Sequence, residues 1–148
     1  MLLRMAVHAG IDPVARHRYH QGAVASAAFA ALHVYWAFDG RFGVPSGTAP
    51  ISQRPTSLAY DLIAAAVFVS FAVAGLRLAR GDQSPSLVRA VRIGSVCALA
   101  RGGVGLVQNT IGLMIGNGIG IGAVYDLWFV WLGVLFLVAW SPPRPERD

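Results

Sequence analysis

Lysine is absent from this chain, cysteine occurs once, and charge of either sign is scarce. The lone Cys97 excludes an internal disulfide and dithiol chemistry within the chain. No second histidine or cysteine shares the apolar region with His33 at ligand spacing, so neither a metal site nor a bis-histidine haem is expected. No cofactor is expected either. The 12 basic residues, all arginine, outnumber 7 acidic ones for a net charge of +5, yet they form no stripe with interleaved aromatics, which argues against nucleic acid. No lysine follows the alternating glycines at 116–122 and no strand precedes them, so they are not a phosphate-binding loop.

What is present is apolar. Charged residues make up 13% and hydrophobic ones 55% of 148 residues, against roughly 25% and 45–50% in soluble domains. That length allows one domain, and the departure in composition points to lipid. Residues 1–20 read as a cytoplasmic or interfacial tail, with Asp12-Pro13 breaking any helix. A four-helix transmembrane domain then occupies 21–140, with helices expected over about 21–38, 59–78, 88–115 and 125–140, and 141–148 form a second tail. A cleaved signal is disfavoured because the first apolar run continues into His33-Val34-Tyr35-Trp36, where cleavage wants small residues. Thr56-Ser57 offers a cap for the second helix.

The arginines orient the chain. With four spans, nine arginines (three in the first tail, four between helices two and three, two in the last tail) fall on one side, and only Arg41 and Arg54 on the other. The positive-inside rule then places both termini in the cytoplasm. Tyr35, Trp36, Tyr60, Tyr125 and Trp128 fall near the outer interface, as aromatic belts do.

A helix turns 100° per residue, so positions three, four and seven apart share a face. Around Arg101 that face collects Gly94, Cys97, Ala98, Gly105, Gln108 and Gly112, while Val96, Leu99, Leu106 and Val107 lie opposite. On the first helix Gly22, Ser26, Ala30, His33 and Ala37 align. Small faces let helices approach and bulky ones meet lipid, so His33 and Arg101 are expected to point into the bundle. A buried Arg101, roughly 13 Å beyond Arg92, costs about 2.5–3.5 kcal/mol at mid-membrane and needs a partner. Asp126 or Asp39 is the preferred one. Asp61 and Asp126 are read as first-turn residues that also meet the positive end of a helix dipole.

The candidate site therefore comprises His33, Asp39 and Asp126 as proton-handling residues. Arg101, Tyr35, Trp36, Gln108, Asn109, Asp61 and Tyr125 are its binding residues. Against this stand plainer roles: an ion pair that only fixes register, solvated turn carboxylates, and aromatic anchors.

His33-Val34-Tyr35-Trp36-Ala37-Phe38-Asp39-Gly40-Arg41-Phe42-Gly43 resembles the H-x-Y-W-A-x-x-G-x-x-G signature of a domain-of-unknown-function family of small four-helix bacterial membrane proteins. Arg101-Gly102-Gly103 and Tyr125-Asp126-Leu127-Trp128-Phe129 are similar to its pattern as well. The resemblance covers residues 20–140 and implies architecture and a bacterial plasma-membrane location, not a reaction. Asp39 departs from it, since a glycine or other small residue is expected there.

Three function classes follow. The first is an outward-opening polar pocket that binds or transforms a small amphipathic, lipid- or isoprenoid-like ligand. The second is a non-catalytic accessory subunit of a membrane complex. The third is a small oligomeric transporter, although a lone mid-span acid is lacking. Expected partners are the lipid bilayer, an amphipathic small molecule, and either a second copy or a membrane partner protein.

Overall fold

A computed structural model describes residues 11–44, 46–116 and 120–139. These residues are all-helical, with four α-helices: α1 (Pro13–Ala37), α2 (Pro55–Ala79), α3 (Pro85–Met114) and α4 (Gly122–Ala139). A short 3-10 turn, Ile51–Gln53, lies in the α1–α2 connection. Three of the helices, α2, α3 and α4, are long and apolar enough to cross a membrane. At 25 residues, α1 equals α2 in length. It carries more polar side chains, among them Ser26 and His33, which face protein and are buried.

Proline starts three helices earlier than the apolar pattern alone suggests. At N1 it lacks only an N–H that would be unpaired there, and its fixed φ suits a first helical turn. Asp12-Pro13 accordingly starts α1 instead of breaking it: the Asp12 carboxylate accepts from Val14 N at 3.4 Å and Ala15 N at 3.3 Å. The expected tail is therefore helical from residue 13, while residues 1–10 lie outside the described residues. Pro55 opens α2, so Thr56-Ser57 sits inside the helix and is not its cap. Pro85 opens α3. α4 begins at Gly122, three residues before the expected Tyr125, and its expected end at Trp140 and the tail 141–148 lie outside the described residues. Asp61 and Asp126 consequently stand in the second turns of their helices, and neither first turn holds an acid. The dipole explanation for these two carboxylates does not apply.

The helices alternate in direction. α1 packs along α2, α3 packs along α4, and α1 touches α4, whereas α2 and α3 barely meet. The spatial order is thus α2–α1–α4–α3, with an open seam between the outer pair. At one end Arg18 donates to the Val138 carbonyl (3.2 Å), closing α1 onto α4. At the same end Arg77 pairs with Asp82 at 2.6 Å across the α2–α3 turn. The opposite end, here the loop end, holds the connection 38–54 and the α3–α4 turn.

Close approach depends on glycine. A Cβ on Gly102 would lie 2.6 Å from the Asp126 carbonyl oxygen, and one on Gly133 would lie 2.8 Å from the Ser95 carbonyl. These contacts set α3 against α4 at backbone distance, where close packing maximises dispersion contacts. Gly22 and Gly75 form a slot for Phe136, the largest fully buried side chain. This packing turns α3 about one residue away from the expected face: Val91, Ser95, Gly102 and Gly105 are buried, Leu99 packs on Gly133, and Cys97 and Gln108 are exposed.

Candidate functional site

A cavity of 310 Å³ occupies the loop end, between α1, α2, α3, α4 and the 38–54 connection. Two side-chain pairs, His33–Asp61 and Arg101–Asp126, and two further arginines define its chemistry.

His33, 3% exposed on α1, meets Asp61 on α2, with Nδ1 2.9 Å from the carboxylate Oδ1. A proton on Nδ1 directed at the carboxylate leaves the other ring nitrogen as the basic one. The imidazole is walled by aromatic rings: Phe29 and Trp36 stand edge-on at 5.1 Å and Phe68 stacks at 5.9 Å. Such walls hold the ring in one orientation and keep the pair out of bulk water.

Arg101 on α3 donates to Asp126 Oδ1 on α4 at 2.6 Å. The second carboxylate oxygen accepts from Asn109 Nδ2 at 2.8 Å, and the same amide also donates to the Gly105 carbonyl. Gly105 makes room for this arrangement, because any Cβ there would collide with the Asp126 carboxylate. Both Asp126 oxygens are therefore occupied and its side chain is only 5% exposed. That environment suits an anchor more than a group exchanging protons. The Arg101 side chain is 53% exposed, so the expected buried arginine is instead a half-open one, held over the Phe129 ring at 5.4 Å. A guanidinium has five N–H donors in a rigid fork. Among the described residues Arg101 hydrogen-bonds Asp126 alone.

The 38–54 connection roofs the cavity. Asp39 takes a left-handed conformation, φ 62°, tolerated by Asp more than by most residues. Its carboxylate accepts from Ile51 N at 3.0 Å. Trp36 Nε1 donates to the Phe42 carbonyl at 2.8 Å, and the Tyr35 hydroxyl accepts from Arg41 N at 3.1 Å. Arg41 donates to the Thr48 carbonyl at 2.7 Å and Arg54 to the Ala49 carbonyl at 2.9 Å.

Of the residues singled out in the sequence, His33, Trp36, Asp39, Asp61, Arg101 and Tyr125 line this one cavity. Asn109 supports it through Asp126. Tyr35 does not line it and is spent on the roof, against Gly40. Gln108 faces outward, one residue from the side that packs on α4. Five further lining residues are not among those candidates: Arg41 and Arg54, the two arginines on the minority side, and Tyr60, Phe29 and Phe129. That minority status was the available signal, because an arginine placed against the charge bias needs a local reason. The Tyr125 hydroxyl is buried without a hydrogen-bond partner among the described residues.

A second, apolar cavity of 260 Å³ lies in the α2–α3 seam, lined chiefly by Val67, Phe68, Phe71, Ala98, Leu132 and Phe136. Arg101 and Phe129 line both cavities. Among the described residues no cluster of His, Cys, Asp and Glu could hold a metal ion. Comparison with protein-family models, with curated proteins and with solved structures finds no match to this chain.

Proposed function

We propose that the chain is a four-span protein of a bacterial plasma membrane, both termini cytoplasmic, whose outward-facing polar cavity binds the anionic headgroup of a small amphipathic ligand. One observation carries this reading: a polar cavity and an apolar one share Arg101 and Phe129 as a common wall. A headgroup on one side of that wall and a hydrocarbon on the other would satisfy both. The charge distribution supports an anion. Asp126 is fully engaged, while Arg101 keeps unused donors, and Arg54 has no carboxylate within 4 Å among the described residues. Arginine forks suit phosphate and carboxylate groups. The Tyr125 hydroxyl adds an unused donor. His33 and Asp61 are the groups that would exchange a proton with the bound head, which leaves room for turnover as well as binding. The family resemblance of the 33–43 motif belongs to the same proposal.

Oleyl phosphate is a suitable probe, with oleyl alcohol as its uncharged counterpart, offered to the protein in lipid nanodiscs and followed by native mass spectrometry. Saturable binding of the phosphate and not the alcohol is expected. Arg101→Gln should weaken it about tenfold or more, the equivalent of one charge-assisted hydrogen bond. Equal binding of phosphate and alcohol, or indifference to Arg101→Gln in a folded variant, would refute the reading.

A further inference from the structure

The apolar side of Arg101 has a shape of its own. α2 and α3 follow one another in sequence, yet they scarcely touch along their length. Phe71 reaches across to Gly94, where any Cβ would collide with its ring. On the Arg101 side of that bridge lies the 260 Å³ cleft, and Val67 and Phe71 continue into a further 180 Å³ trough with Ala74, Ala90 and Val91. Polar, apolar, apolar: the three spaces are linked by shared walls, Arg101 and Phe129 between the first two and Val67 and Phe71 between the last two.

The roof and the seam differ in how they could admit a ligand. Over the polar cavity, the 38–54 connection is pinned by Asp39, Trp36, Arg41 and Arg54, each hydrogen-bonded to loop backbone. α2 and α3 meet instead through the Arg77–Asp82 turn and the Phe71–Gly94 contact. A 260 Å³ cleft is smaller than the roughly 300–1,000 Å³ of pockets that enclose a whole drug-sized ligand. With the trough that continues it, its narrow, elongated shape suits a single hydrocarbon chain.

We infer that the ligand is a single-chain anionic amphiphile whose tail lies in the α2–α3 seam and which enters sideways from the bilayer, between these two helices. The inference rests on the headgroup reading above and adds the chain, its place and its route. Arg101 then sits at the junction, with the head on one side of the guanidinium and the first methylenes beside Phe129 and Ala98.

Two perturbations separate head from tail. Ala98 lines only the apolar cleft, so Ala98→Trp fills it without touching the polar cavity. Butyl phosphate keeps the head and shortens the chain, and phosphorus NMR reads both phosphates in nanodiscs. Ala98→Trp is expected to lose at least tenfold in oleyl phosphate affinity while its butyl phosphate binding matches wild type. Unchanged oleyl phosphate binding by Ala98→Trp overturns the seam and leaves the head site standing. If wild type binds neither phosphate, the headgroup reading and the seam fall together.

Should Ala98→Trp lose both probes through misfolding, Val67→Cys settles the matter. Val67 and the native, exposed Cys97 line the cleft from α2 and α3. A short bis-maleimide between them ties the seam shut in an already folded protein, with the same protein before crosslinking as its control. Oleyl phosphate association slowed at least tenfold by crosslinking supports lateral entry. Association at an unchanged rate contradicts it.

Discussion

Arg101 and Asp126 form an unequal pair: they touch at 2.6 Å, yet the aspartate side chain is 5% exposed and the arginine side chain 53%. The aspartate belongs to the protein interior and the arginine to a boundary. Truncating the two should therefore have different effects. Asp126→Ala leaves Asn109 its bond to the Gly105 carbonyl and the half-exposed guanidinium open to solvation, and should cost about 1–1.5 kcal/mol. Arg101→Gln should cost more, because it leaves the buried Asp126 carboxylate with neutral donors alone. Unfolding in SDS, measured for both variants and the double variant, reads the difference and the coupling. Equal losses would contradict the asymmetry.

His33 and Asp61 are both buried and paired, so neither tolerates the loss of its partner. His33→Phe, which fits an aromatic surround, and Asp61→Leu should each destabilise by about 1–3 kcal/mol. The double replacement should recover much of that loss, as buried polar pairs do when both members become apolar. Any binding or turnover that needs the proton pair should be absent from all three variants.

Three α3 glycines make a graded series. Gly102→Val meets the Asp126 carbonyl and Val130, and Gly105→Ala the Asp126 carboxylate, so both should open the α3–α4 contact and displace the Arg101 anchor. Gly103→Ala meets nothing within 4 Å and should be neutral or stabilising by up to about 1 kcal/mol through helix propensity. Denaturation midpoints of the three variants test the order.

Asp82 lies in the turn after α2, outside the apolar helices. The Ser84 backbone N–H, and then the Ser84 and Arg77 side chains, hold its carboxyl below the ordinary aspartate range. A depressed pKa gives stabilisation that is present above the unfolded-state value and lost as pH falls through the folded one. The turn should thus stay ordered through mildly acidic pH and loosen only below the usual carboxylate range. Asp82→Asn should abolish that acid-dependent loosening, as followed by amide exchange at 81–84.

Much of the fold could be read from composition and spacing, because helix count and apolar length are local properties. The helix starts lie earlier than the apolar pattern suggests because Pro13, Pro55 and Pro85 each open a helix. The small face of α1 agrees with its buried Gly22, Ser26, Ala30 and His33. That of α3 centres on Arg101 in the sequence, whereas its buried side runs through Val91, Ser95 and Gly102, with Gly105 common to both. One residue is 100° on a helix, and only the fit of these glycines to α4 fixes that angle. The same limit explains the pairings. Asp126 was one of two expected partners of Arg101, while the His33–Asp61 pair went unforeseen, because relative helix register depends on packing and connection length together. Arg41 and Arg54 acquire meaning only once the connection folds over the cavity.

The most direct test of the account is a structure determined in lipid, at a resolution where non-protein density between the helices can be interpreted. The account predicts an elongated density with its head beside Arg101 and His33 and its tail in the seam between α2 and α3. A dry, closed interior, with α3 packed against α2 and Arg101 bound to Asp126 alone, would contradict it.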